Sequence, residues 1–435
     1  MIQFTRLKRD QCHLAESEKP KLPPELWLKI FAYAMRLPGA FSHTDVDSFV
    51  AFTRDHHGIC AQNRFKAVMN TKLSISLVCS AWNTLAMKHL FEYLLIESGS
   101  QVLGLADAFT KYSAQSDYGV HHPGWWTTRL EIALDGVHAW DMTHTQALAY
   151  VIRKCPNLVC FSTAFCTADP KVFYSPAVIN SLAEYTDVKR VELRTDLPLL
   201  KSTLMALSDS LEMIWLLPSR GVCDDEDRWS CCLPKLHTFI SHLQFGRAMD
   251  HLELPALKTL VVNDPCDRTS TISKTGSCLQ YLSISDIRTT VPLLPTCQSL
   301  ETLAINFHEV TLGNFALLFK NMTLSNVQRL IIEGHSDVDL SWWFSARPAM
   351  YDECLRKNLL SFASAATFPK LQRIQLVLPL SFEAICGNPS AKCRWHSTWS
   401  SWFIACTQRG ITVEMAYGSE QWSVNEWQPL SITLD

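Results

Sequence analysis

The residues best equipped for chemistry in this 435-residue chain are its cysteines, histidines and clustered acids, and their spacing assembles no reactive centre. Cys231 and Cys232 stand near His237 and His242, and Cys386 and Cys393 stand near His396. Zinc sites pair their ligands at short fixed spacings such as C-x-x-C, which neither group has, so both read as core or loop residues. Asp224-Asp225-Glu226-Asp227 offers carboxylates for a cation but lacks the spaced ligands and glycine of a calcium loop; it reads as a solvated turn. Trp395, Trp399 and Trp402 lie at i, i+4 and i+7, which places three indoles on one helix face. A stacking platform for bases needs basic residues around it, and only Arg394 and Arg409 are near, so the core of a closing helix is the better reading. No P-loop, G-x-G-x-x-G, G-x-S-x-G or H-E-x-x-H pattern occurs. The chemistry on offer therefore points to recognition, not catalysis, and to no cofactor or metal.

Composition agrees. Hydrophobic residues make up 47% and charged residues 19%, enough apolar matter for two or three packed domains. A formal net charge of -3 gives no footprint for nucleic acid or an anionic membrane. Met1 to Asp10 lacks the apolar stretch of a signal peptide, and no apolar run approaches the ~20 residues needed to cross a bilayer. The expectation is a soluble cytoplasmic or nuclear protein, in which the 16 cysteines are reduced, partly buried apolar residues.

The elements that would present a recognition surface begin after a polar tail over residues 1–20. Pro23 and Pro24 open a helix in which Leu26, Ile30, Ala34 and Leu37 share one face beside Trp27 and Phe31, and Pro38-Gly39 stops it. Residues rich in His, Asp, Ser and Thr follow. A second helical pattern starts near Arg64 and runs towards Leu90 through Leu73, Leu77, Trp82 and Leu85. The domain reading is a helical unit over 21–92 with an inserted loop at about 39–71, then a repeat domain over 93–435. Tyr93 to Glu97 reads as a short strand.

From about Arg129 the pattern repeats. Strand-like units carry apolar residues at i, i+3 and i+5, as in Val188, Val191, Leu193 and in Leu300, Leu303, Ile305. Unit starts at 188, 211, 236, 257, 279, 300 and 327 are spaced by 23, 25, 21, 22, 21 and 27 residues. Those periods and the L-x-x-L-x-L opening are the pattern of leucine-rich repeats. Helical segments fall between strands over Thr145–Lys154, Pro176–Tyr185, Thr311–Asn321 and Thr398–Arg409. The last ends at Gly410 and leads into a final strand at Ile411–Met415. The fold class expected is α/β: an N-terminal helical unit, then an irregular repeat arc with parallel strands inside and helices outside. The Asn or Cys that usually bonds the turn backbone eight residues after each first Leu is filled only by Cys166, so that ladder is expected to be absent or replaced.

Two segments together resemble an F-box. The family opens with Leu-Pro-x-Glu-Leu and an Ile-Phe helix, then carries Leu-Val-Cys-x-x-Trp-x-x-Leu/Ala; this chain has Leu22, Pro23, Glu25, Leu26, Ile30 and Phe31, then Leu77, Val78, Cys79, Trp82 and Leu85-Ala86. The longer chain between the two halves resembles insertions in the large fungal F-box families. The resemblance implies an adaptor role: residues Leu22, Pro23, Leu26, Ile30, Phe31, Leu77, Val78, Cys79, Trp82 and Leu85 dock on a Skp1-like adaptor, which bridges to cullin and RING subunits of an SCF-type ubiquitin ligase. The repeats would then recruit a protein substrate, and the chain itself would catalyse nothing.

Residues between the framework positions of a repeat arc face its concave side. Arg194, Trp215, Val261, Asn263, Ser283, Asn306 and Ile331 are expected there, with Trp215, Val261 and Ile331 lining an apolar groove for a substrate segment. Exposure of Trp215 decides that expectation. Two other readings are a repeat scaffold not coupled to a ligase, and an enzyme without a recognisable motif.

Overall fold

The computed structural model describes residues 22–35, 40, 59–115, 122–135, 140–168, 175–195, 197–218, 230–241, 252–262, 269–284, 290–306, 319, 322–333, 349–378, 401–417 and 428–429. They form a mixed α/β protein of two compact units, divided between Arg194 and Thr195.

The first unit begins with three helices. Helix α1 (Pro24–Ala34) starts on its proline, whose fixed φ and missing N–H suit a first turn. Helix α2 (Ile59–Ser76) and helix α3 (Ser80–Glu92) follow. The inserted loop expected over 39–71 therefore reaches no further than Gly58, because Ile59 to Asn63 already belongs to α2. The single helix expected towards Leu90 is broken at Leu77-Val78. Cys79 is extended there (φ -162°, ψ 168°) and its Sγ accepts from Trp82 N at 3.5 Å, capping α3. Lys72 ties the pair by donating to the His89 carbonyl at 2.7 Å, and Asn83 donates to the Ser76 carbonyl.

Strand β1 (Tyr93–Ile96) begins where α3 ends. Helix α4 (Gly99–Gln115), β2 (Arg129–Ile132), α5 (Met142–Arg153), β3 (Cys160–Ser162), α6 (Pro176–Tyr185) and β4 (Arg190–Thr195) alternate after it. Asp141 caps α5 through bonds from Thr143 N and His144 N, while His144 Nδ1 accepts from Asp141 N. Ser175 caps α6, which has the bounds expected from its Ser-Pro start. The four strands are parallel neighbours in the order β1-β2-β3-β4, and α5 packs between α4 and α6.

The second unit continues with α7 (Leu197–Leu207), β5 (Met213–Pro218), β6 (Cys231–Cys232), β7 (Thr238–Ser241), β8 (Leu252–Glu253), β9 (Thr259–Val262), α8 (Thr269–Thr275), β10 (Tyr281–Ile284), β11 (Thr302–Asn306), β12 (Arg329–Glu333), α9 (Ala349–Phe362), β13 (Arg373–Leu378), β14 (Thr412–Tyr417) and β15 (Gln428–Pro429). Strands β5, β7 and β9 to β14 are parallel in sequence order, and β15 closes antiparallel on β14. Strands β6 and β8 make a separate two-stranded sheet. Residues 401–408 are helical and end at Gly410, whose φ of 69° lets its N–H and that of Ile411 cap the helix. The segment 311–321 expected as a helix lies outside the described residues save Phe319.

The framework pattern sets the register. Phe161 pairs with Val191, and Ile214, Phe239, Leu260, Leu282, Leu303, Leu330, Ile374 and Val413 stand side by side across the second unit. Every one of these side chains is buried. Several strands are entered through a turn that brings in a further buried residue three places before the first Leu. In Cys155-Pro156-Asn157-Leu158, Leu233-Pro234-Lys235-Leu236, Leu254-Pro255-Ala256-Leu257 and Phe368-Pro369-Lys370-Leu371, the Leu N–H donates to the first residue's carbonyl at 3.1–3.4 Å. Proline presets the second position of such a turn. The lateral ladder, expected to be absent or replaced, has a counterpart here: Asn157, Ser299 and Asn326 donate across to the Trp125, Ser277 and Gln298 carbonyls at 2.6–2.7 Å.

In the main sheet from β1 to β11 the opposite face of the strands is largely buried as well, as in strands packed on both sides. On β1 to β4 it carries a closed ionic cluster. Arg129 grips Glu192 with both terminal nitrogens, Nη1 to Oε1 at 2.8 Å and Nη2 to Oε2 at 2.7 Å, and reaches Glu131 Oε2 at 2.8 Å. Arg190 pairs with Glu192, and the Tyr93 hydroxyl donates to Glu131. Arg129 Nη1 also donates to Cys160 Sγ at 2.9 Å and, at 3.1 Å, to the carbonyl of Ala40, a fully buried residue between α1 and α2.

Candidate docking surface

Three rings knit α1 to α3. Trp27, Phe31 and Trp82 lie with centroids 4.5–5.8 Å apart in tilted and edge-on arrangements, which suit aromatic quadrupoles. Phe31 is 1% exposed and Trp82 half-buried. Both were expected to dock on a partner; in this chain they face each other, because an aromatic at helical spacing reads the same whether it packs inward or waits for a partner. Leu85 is half-buried on α3.

That inner packing turns the other side of α1 outward. Leu22, Leu26, Ile30 and Tyr33 follow at i, i+4, i+8 and i+11, so they share a face, and all are exposed; Ile30 is 45% and Tyr33 83% accessible. Pro23 is exposed at the helix entry and Cys79 at the α3 cap. Leu77 and Val78, in the α2–α3 break, are 74% and 60% exposed. An apolar pair at a tight break, beside a helix with an uncovered apolar face, is more than scattered surface hydrophobics. Leu28 and Tyr33 were not anticipated; the i+3 step from Ile30 would have found Tyr33.

Electrostatics around these helices are local. Burial lowers the Lys72 ammonium to about 8, partly offset by Glu92, and Lys72 donates to the carbonyl of His89, which itself pairs with Glu92 at 3.3 Å. This is internal bracing, one helix turn or more from Leu77.

No family model and no curated protein matches this sequence.

The residues expected to line a substrate groove fare differently. Trp215 is fully buried, as are Val261, Ser283 and Ile331, so they do not line an open groove, and that expectation is corrected. Their alternation in sequence identifies the face they share but not that the face is covered. Arg194 is half-buried, with Nε donating to the Ala164 carbonyl at 3.1 Å. Asn263 lies outside the described residues, and of Asn306 only the backbone, at the end of β11, is described.

The metal candidates gain nothing. Cys231 is buried and Cys232 exposed, while His237 bonds Thr238 Oγ1 and stands 3.8 Å from Glu212. No group of three or more metal-ligating side chains occurs among the described residues. His242, Asp224–Asp227, Cys386, Cys393, His396, Trp395 and Trp399 lie outside them, and Trp402 is fully buried. Burial pushes the Cys155, Cys160 and Cys406 thiols up to about 12, which keeps them protonated and unreactive. No described helix is long and apolar enough to cross a membrane.

Proposed function

We propose that this chain is the substrate-recognition subunit of an SCF-type ubiquitin ligase, with its first helices docking on a Skp1-like adaptor and its leucine-rich-repeat-like strands recruiting a protein substrate. The observation that carries the reading is the outward apolar face of α1, Leu22, Leu26 and Ile30, together with the exposed Leu77-Val78 pair, at positions of the F-box pattern. A partner that covers these side chains, now 39–74% exposed, gains part of the roughly 1.5–3 kcal/mol that complete burial of each would give. The chain would be non-catalytic, holding a substrate close to a catalytic centre on cullin-bound subunits and so reducing the entropic cost of transfer.

The internal aromatic cluster decides the test. Replacing Trp82 would disturb the α1–α3 packing itself, so Leu26→Asp with Leu77→Asp is the cleaner variant. Wild-type protein co-purifies with a Skp1-like adaptor and cullin; the double variant loses both while keeping its circular dichroism and melting temperature. Undiminished recovery of the adaptor by the variant contradicts the proposal.

A further inference from the structure

Among the described residues of the second unit, the strand face opposite the framework is closed along most of its width and opens across β12 to β14. The row that begins each strand is buried at Thr238, Thr259, Tyr281 and Thr302, on β7, β9, β10 and β11. Its continuation, in register across β12, β13 and β14, is Arg329, Arg373 and Thr412, and here the side chains reach solvent.

Arg373 is held in an uncommon way. Its Nε bonds Glu414 Oε1 at 3.2 Å, and the buried amide of Gln375 donates to the other oxygen, Oε2, at 2.8 Å. The Glu414 side chain is 13% exposed and the Arg373 side chain 52%. Both Glu414 oxygens are thus occupied, and Glu414 fixes the guanidinium through its inner nitrogen. Among the described residues Arg373 makes no other bond, so both terminal nitrogens are presented for an external acceptor. An ordinary exposed ion pair spends the terminal nitrogens on its own carboxylate; this one saves them. A guanidinium presented edge-on matches a carboxylate in bidentate geometry. Arg329, one strand away at a spacing of about 4.8 Å, adds positive charge to the same row, while Glu333 stands four residues along β12, about 13 Å off. Acidic groups are therefore favoured at the strand-start end of this face.

We propose that Arg373, positioned by Glu414 and Gln375, receives a carboxylate side chain of an extended, acidic protein segment laid across β12 to β14. The proposal rests on the substrate-receptor reading and names the substrate's chemistry: an acidic peptide, bound at the last repeats and not along the sealed strands.

The test uses the full chain and a fluorescein-labelled hexaglutamate peptide, followed by fluorescence anisotropy at low ionic strength, with hexaglutamine as the neutral comparison. Saturable hexaglutamate binding is expected, absent for hexaglutamine. Arg373→Gln weakens it at least tenfold. Arg373→Lys weakens it too, since an ammonium lacks the planar pair of terminal nitrogens that match a carboxylate. Gln375→Glu, which frees one Glu414 oxygen to compete, gives a loss of several-fold. Arg153→Gln, at the end of α5, leaves binding unchanged. A purely structural ion pair would lower the melting temperature of Arg373→Gln without touching peptide affinity. Equal affinity of Arg373→Gln and wild type, or no saturable binding by wild type, overturns the proposal. The assay contains no adaptor, so its failure leaves α1 docking standing, and loss of adaptor binding leaves Arg373 untouched.

Discussion

At Glu192 two opposing effects are large enough to be separated by pH. Burial raises its carboxyl, but the Arg129 and Arg190 guanidiniums outweigh that and hold it at about 2, below the ordinary 4.5. Glu131, also fully buried, goes the other way: burial outweighs the pull of Arg129 and the bond from Tyr93. A depressed carboxyl adds stability that is complete above about pH 4.5 and lost as pH falls towards 2. A raised carboxyl acts in reverse, costing stability as pH climbs from 4.5 through its folded value. Through Glu192 alone, urea unfolding should show stability dropping by an amount on the order of 3 kcal/mol as pH falls from about 4.5 to 2. Glu192→Gln, which removes the carboxylate shared by Arg129 and Arg190, should cost about 3–5 kcal/mol at neutral pH and shrink the acid limb. A variant with the wild-type acid limb would show that the pair is not what titrates. None of this was legible in advance. Charges at alternate strand positions, Arg129 and Glu131, Arg190 and Glu192, look like a solvated face until that face is found covered.

At the scale of elements, the framework was readable and its coverings were not. Leu at i, i+3 and i+5 is enough to place β3 to β5, β7, β9 to β13 and their register, because period-2 burial on one face dictates how neighbouring strands align. The Ser175-Pro176 start and the Gly410 stop were readable for the same reason: each residue type solves one local backbone problem. Burial of Arg129 involves a segment distant in sequence, at Ala40, and no local pattern encodes it. The α2–α3 break was hidden inside a continuous apolar pattern, since the extended Cys79 changes the backbone and not the hydrophobicity. Tight joints follow from the same packing. Gly124, in the turn before β2, leaves room for the end of α5: a Cβ there would lie 2.2 Å from the Lys154 carbonyl oxygen. Because that neighbour is backbone, Gly124→Ala should destabilise the protein by about 1–3 kcal/mol, lowering the thermal midpoint, whereas Gly104→Ala, with nothing within 4 Å, should leave it unchanged or slightly raised. Equal midpoints for the two variants would mean that the turn and α5 move apart freely.

For the whole molecule, the sequence division at 92/93 and the compact units differ in a way that bears on the proposed role. Helix α3 passes into β1 without a linker, and the three helices belong to one unit with β1 to β4. A docking helix built into the same compact unit as the first repeat strands would transmit its orientation to them directly, as a receptor that must hold a substrate at a set place requires. The proposal separates residues that the F-box pattern lists together: Phe31 and Trp82, joined by Trp27, hold the helices, and Leu22, Leu26, Ile30, Leu77 and Val78, joined by Tyr33, would meet the proposed partner. Hydroxyl-radical footprinting of the purified chain, alone and saturated with a Skp1-like adaptor, addresses that separation residue by residue. The account predicts that oxidation of Tyr33, Leu26, Ile30, Leu77 and Val78 is strongly suppressed in the complex while Phe31 is unreactive in both states. Unchanged oxidation of Tyr33 and Leu77 at saturating adaptor would contradict it.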